Sequence, residues 1–90
     1  MTAEQIKLCE VKIGDHIRFL PDGEHSLVPL ECVVNDRTED GNYLYVTWCS
    51  DDECEGDIGE VPVEPPGELV DLLGRDMQYN AIERCVEPRP

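Results

Sequence analysis

Two runs of strict alternation dominate the chain. Leu30, Cys32 and Val34 alternate with Glu31, Val33 and Asn35, and Tyr43, Tyr45 and Thr47 alternate with Leu44, Val46 and Trp48. A period of two sends successive side chains to opposite faces of a strand. Both runs are rich in the β-branched and aromatic residues that suit a pleated surface. Between them lies Asp36-Arg37-Thr38-Glu39-Asp40-Gly41-Asn42, whose Asp-Gly pair signals a hairpin. The pattern predicts an antiparallel pair. Because each run carries apolar residues on both faces, the sheet is expected to bend strongly around a small core.

The flanking segments read less sharply. In His16-Ile17-Arg18-Phe19-Leu20, Ile17 and Phe19 share one strand face, and Pro21-Asp22-Gly23 ends the run with turn chemistry. Glu24 to Val28 reads as an exposed loop. Ile58, Val61 and Val63 predict a short strand, confined by Pro62 to an edge or a bulge. After Pro65-Pro66-Gly67, the spacing of Leu69, Leu72 and Leu73 with an acidic first turn and Gly74 as a stop predicts a short helix over about 67–74. Beyond it two readings stay open. A helix could resume through Met77, Ala81 and Ile82, or a strand could run from Ala81 to Val86 until Pro88 stops it. At the start, Thr2 and Gln5 have capping-box spacing for one helical turn, against a loose tail.

Charge changes the picture more than size does. Ninety residues make one small domain with one modest core. The formal net charge is −14, and no Lys, Arg or His occurs between Arg37 and Arg75. That stretch holds eleven carboxylates: Glu39, Asp40, Asp51, Asp52, Glu53, Glu55, Asp57, Glu60, Glu64, Glu68 and Asp71. A one-sign field of this density draws in cations or basic surfaces and repels polyanions. Direct nucleic-acid binding is disfavoured, since it depends on Lys and Arg neutralising phosphates. No apolar run reaches the roughly 20 residues of a membrane span, and the N-terminus lacks signal-peptide character. A cytoplasmic location is expected, with the five cysteines reduced. The same acid excess also suits a halophile's proteome.

The run Lys12-Ile13-Gly14-Asp15-His16-Ile17-Arg18-Phe19 resembles the opening of small SH3-like and Tudor-like barrels, with an apolar residue, Gly-Asp and a short alternating strand. The strand Glu31 to Asn35, the Asp-Gly turn, the strand ending in Trp48 and a late Arg84-Cys85-Val86 segment are similar too. The resemblance implies a mainly β fold. The expectation is a barrel of about five strands built from about 11–64 plus 81–87, with the short helix over 67–74. A Tudor-type aromatic cage would have to draw on Tyr43, Tyr45, Trp48 and Phe19.

Specific chemistry is sparse. Asp51 to Ile58 imitates the front half of a calcium loop, with acids at relative positions one, three, five and seven and Gly at six. Pro62 stands where the bidentate Glu belongs. Cys49 and Cys54 are spaced like one half of a zinc site, whose other half would have to come from Cys32, Cys85, His16 or His25. With both motifs half present, no stoichiometric metal and no cofactor are expected. Ser26 and Ser50 lack a nucleophile frame. A Cys–His nucleophile such as Cys32 with His16 is a minor reading, and no catalytic set is assigned.

The expected function is therefore a non-catalytic acidic module that engages a basic surface of a larger protein through Glu39, Asp40, Asp51, Asp52, Glu53, Glu55, Asp57 and Glu60. In its sharpest form this is polyanion mimicry, in which carboxylates occupy a nucleic-acid groove as small viral or plasmid-borne inhibitors do. The rival readings are a small zinc- or calcium-binding structural domain and a Tudor-like reader.

Overall fold

A computed structural model describes residues 4–20, 28–50 and 55–90. Eight strands follow in chain order: β1 (Glu4–Lys7), β2 (His16–Phe19), β3 (Leu30–Arg37), β4 (Tyr43–Trp48), β5 (Ile58–Pro62), β6 (Leu69–Gly74), β7 (Met77–Asn80) and β8 (Cys85–Pro88). The first six form one antiparallel sheet in the order β1-β6-β2-β3-β4-β5, and β7 and β8 form a separate hairpin.

The alternating runs pair as their pattern requires. Cys32 lies opposite Trp48, Val33 opposite Thr47 and Val34 opposite Val46, after which a bulge at Asn35 shifts the register to Asp36–Tyr45. The turn between them needs Gly41, whose φ is +75°, and Thr38 closes it by donating its backbone N–H to the Tyr43 carbonyl. The core is one cluster with buried residues from every strand of the large sheet. It includes Ile6, Ile17, Phe19, Cys32, Val34, Leu44, Val46, Val61, Val70 and Leu72, completed by Leu8 and Val11. A single sheet can converge on one cluster only by curling, and the bulges in β3 and beside His16 supply the bend.

Three expectations are corrected. The SH3-like barrel is absent: edge strands β1 and β5 do not pair with each other, so the sheet curls without closing. The Gly14-Asp15 motif that carried the resemblance is a local lock. Gly14 (φ +92°) and Asp15 exchange two backbone hydrogen bonds with Val34, and the buried Asp15 carboxylate accepts the Lys12 N–H at 2.8 Å. Any chain that must turn tightly into a strand can use such a lock.

The helix over 67–74 is absent as well. Leu69–Gly74 is strand β6, inserted between β1 and β2. The helical spacing of Leu69, Leu72 and Leu73 concealed a second pattern, Val70 and Leu72, that alternates correctly for a strand and points into the core. Tertiary pairing on both sides overrides the weak local preference of a six-residue segment. At the N-terminus, where a helical turn and a loose tail were both open, Glu4–Lys7 is strand β1, followed by a 3-10 turn at Leu8–Glu10, and Thr2 lies outside the described residues.

The third correction concerns strand number, eight among the described residues in place of about five. Of the two readings left open past Gly74, the resumed helix is replaced by β7 at Met77–Asn80, and the late strand lies at Cys85–Pro88 in place of 81–86. Among the described residues no helix is long and apolar enough to cross a membrane. Pro21 to Leu27 and Asp51 to Cys54 lie outside the described residues.

Trp48 lies on the core side of β4, 6.2 Å from Phe19 between ring centroids. Its indole occupies the space over Gly59, where an added Cβ would stand 2.2 Å from Nε1. Gly59→Ala is therefore expected to push the indole out of place and cost about 1–3 kcal/mol, as overpacking does. Trp48 is the single tryptophan, so its fluorescence reports both the denaturation midpoint and the displacement. An unchanged spectrum and midpoint would contradict the packing described.

Candidate functional site

The direction of β3 decides what the outer face of the sheet displays. With Cys32 and Val34 turned into the core, Glu31, Val33 and Asn35 face away from it. The outward face then divides in two.

On the first part, β2, β3 and the end of β4 bring His16, Glu31 and Cys49 together. Glu31 pairs with Arg18 in register and its carbonyl accepts the Cys49 N–H at 3.0 Å, so both neighbours of Glu31 are set by the ladder. His16 Nε2 lies 3.0 Å from Glu31 Oε1 and 3.7 Å from Cys49 Sγ. The side chains of His16 and Glu31 are 15% and 33% exposed, enough shelter to strengthen the contacts and enough opening for access. The Glu31 backbone N–H is held by Ser50 Oγ at 2.6 Å. Burial, followed by the neighbouring Glu31 and Glu55 carboxylates, pushes the Cys49 thiol up to about 12. Burial also pushes the Cys32 thiol far up, with Cys49 and Glu31 adding to it.

The sequence offers Cys49 and Cys54 as half of a zinc motif, with His16 among the candidates for the other half and no metal expected. The structure brings Cys49 and His16 together with Glu31, which the sequence does not single out, while Cys54 lies outside the described residues. The signal for Glu31 was available only through register, because the residue is polar and unremarkable on its own strand. The Cys32–His16 pair is not formed: Cys32 belongs to the core cluster, while His16 lies opposite Val33 on the other face.

On the second part, β4 and β5 place Tyr43 opposite Pro62, Tyr45 opposite Glu60 and Thr47 opposite Ile58. Tyr43, Tyr45 and Ile58 are exposed, Ile58 to 69%. A cleft of about 340 Å³ beside them is lined by Asn42, Tyr43, Pro62, Val63, Glu64 and Pro66. The aromatic cage does not assemble, because Phe19 and Trp48 pack at the core while Tyr43 and Tyr45 stand on the opposite face.

The acidic stretch is not a uniform surface. Asp71 is buried and accepts hydrogen bonds from Arg18 Nε at 3.1 Å and Nη2 at 2.8 Å. Glu55 pairs with Arg84 at 2.5 Å, which occupies one carboxylate of the calcium-like loop. Asp40 is held below the usual carboxylate range by the Thr38 hydroxyl and then the Asn42 N–H, so it serves its own turn. Glu39, Asp57, Glu60 and Glu64 are exposed, and none is ion-paired among the described residues. Asp51, Asp52 and Glu53 lie outside the described residues.

Comparison of the chain with family models, curated proteins and solved structures finds no match.

In chelator-treated protein at pH 8, a Cys49 thiol held near 12 leaves a thiolate fraction on the order of one in ten thousand. Because the raised value keeps the thiol protonated until strongly alkaline pH, alkylation by iodoacetamide should modify the exposed Cys9 and Cys85 well before Cys49 or buried Cys32. Peptide mass mapping over time measures the order, and early modification of Cys49 would contradict this environment.

Proposed function

We propose that the chain is a non-catalytic binding module whose β4–β5 face engages a basic surface of a larger protein. The observation that carries this reading is the combination on one face of exposed Tyr43, Tyr45 and Ile58 with the carboxylate of Glu60 among them. Tyrosine anchors ringed by polar groups are the usual energetic centre of a protein interface. Asp57 just before β5 and Glu64 two residues after it add exposed negative charge, and Glu39 adds more in the β3–β4 turn. A partner that meets this face needs Lys or Arg to match it, and a tyrosine ring next to a carboxylate suits a guanidinium through both cation–π and ionic contact. The cleft lined by Tyr43 and Glu64 fits one such long side chain.

Apolar anchors favour a protein partner over a purely electrostatic copy of phosphates. Mimicry of nucleic acid is the special case in which the basic partner surface is a nucleic-acid groove. It requires that nucleic acid compete for the same site on the partner.

The test uses a partner captured by the immobilised chain, then purified and measured by calorimetry in a salt series. Tyr45→Ala should weaken binding by about 2 kcal/mol or more, roughly 30-fold. Changing Glu39, Asp57, Glu60 and Glu64 together to Gln or Asn should cost about 2–4 kcal/mol if exposed-pair terms of about 0.5–1 kcal/mol add. That loss should be smaller in high salt. Wild-type affinity in both variants at low salt would place the binding surface elsewhere and reduce the acids to a solubilising role.

A further inference from the structure

The meeting of His16, Glu31 and Cys49 goes beyond the binding face, and we infer that it is a site for a zinc-class divalent metal ion with three protein ligands and one open position. The ligating atoms are His16 Nε2, Glu31 Oε1 and Cys49 Sγ, which all lie within 4.8 Å of one another.

The two separations from His16 fit that ion. Zinc bonds of 2.3 Å to sulfur and 2.0–2.1 Å to nitrogen, at the tetrahedral angle, place sulfur and nitrogen about 3.6 Å apart. His16 Nε2 and Cys49 Sγ are 3.7 Å apart. The corresponding nitrogen–oxygen separation is about 3.3–3.4 Å, so the 3.0 Å contact of His16 with Glu31 has to open by only a few tenths of an ångström.

The hydrogen-bond logic points the same way. A single imidazole nitrogen carries either one proton or one lone pair, yet Nε2 faces two groups at once. With a proton it serves the carboxylate or the sulfur, and with a lone pair it serves only the thiol. A metal ion at the shared centre satisfies all three atoms together.

The donor set also selects the metal class. One thiolate, one imidazole and one carboxylate form a mixed set that suits zinc or cobalt and does not suit calcium or magnesium, which take oxygen. Two negative ligands and a neutral histidine balance a divalent ion, and the strongly acidic chain raises the local concentration of cations. Three strands hold the ligands: His16 opens β2, Glu31 lies near the start of β3, and Cys49 directly follows β4. Three protein ligands with a partly exposed mouth leave room for a water molecule or an incoming donor group. The site is distinct from the Tyr43–Tyr45–Ile58 face, and neither proposal depends on the other.

The deciding experiment is titration of the reduced, chelator-treated chain with Co²⁺, followed by absorption spectroscopy and then displacement with Zn²⁺. The expected result is a thiolate-to-cobalt charge-transfer band that saturates at one equivalent and disappears when Zn²⁺ is added. Cys49→Ser should abolish the band, and His16→Gln and Glu31→Gln should each weaken Co²⁺ binding by at least about tenfold. Trp48 fluorescence checks that each variant stays folded, and the wild-type titration decides the matter should a variant unfold. Absence of the band in the wild type overturns the inference. So does a band that survives Cys49→Ser in folded protein, which assigns the metal to a different cysteine.

Discussion

The facing of β3 is the constraint on which the rest of this structure depends. It runs through the middle of the large sheet between β2 and β4. Because side chains alternate with a period of two, moving it by one residue would exchange its faces entirely. Core burial of Cys32 and Val34 sets that choice, and the two backbone hydrogen bonds between Val34 and the Gly14–Asp15 turn hold it. Both candidate sites on the outer face follow. Glu31 is placed beside His16 and Cys49, and the pairing of β4 to β3 turns Tyr43 and Tyr45 outward.

Charge is managed by the fold in a way that composition hides. The segment between Arg37 and Arg75 has no cation of its own, but Arg18 from β2 reaches Asp71 in β6, and Arg84 from the β7–β8 turn reaches Glu55. The two pairs differ in kind. Asp71 is sheltered, with a side chain 10% exposed, and two guanidinium hydrogen bonds compensate a carboxylate that water cannot reach well. Glu55 and Arg84 meet near the surface, where screening limits the gain. Among the described residues, Glu39, Asp57, Glu60 and Glu64 are exposed and make no ion pair, so the outward charge rests on fewer carboxylates than the eleven in the stretch.

The β7–β8 hairpin gives the sheet its second layer. β7 packs against β3, and Val33, fully buried yet outside the core cluster, accounts for the apolar residues on both faces of that strand. The Met77 N–H bonds to the Gly14 carbonyl at 2.8 Å, so the turn that sets β3 also anchors the hairpin. One small turn thus links core, central strand and outer layer, which explains why a Gly-Asp pair invites comparison with other folds while serving a purely local need here.

The sequence by itself determined the strands that announce themselves by alternation, the hairpin at Asp40-Gly41 and the one-sided charge. These are local properties, set by side-chain periodicity, turn conformation and composition. It also marked Cys49 and His16 as metal-type residues without joining them. The tertiary structure alone decided the rest. Leu69–Gly74 became a strand because two neighbours offered hydrogen bonds on both sides, a gain invisible to its helical spacing. The sheet stayed open because closure depends on where distant edges lie. The third donor, Glu31, emerged because strand register brings together residues 15 and 33 positions apart in the chain, and no local pattern encodes such a meeting.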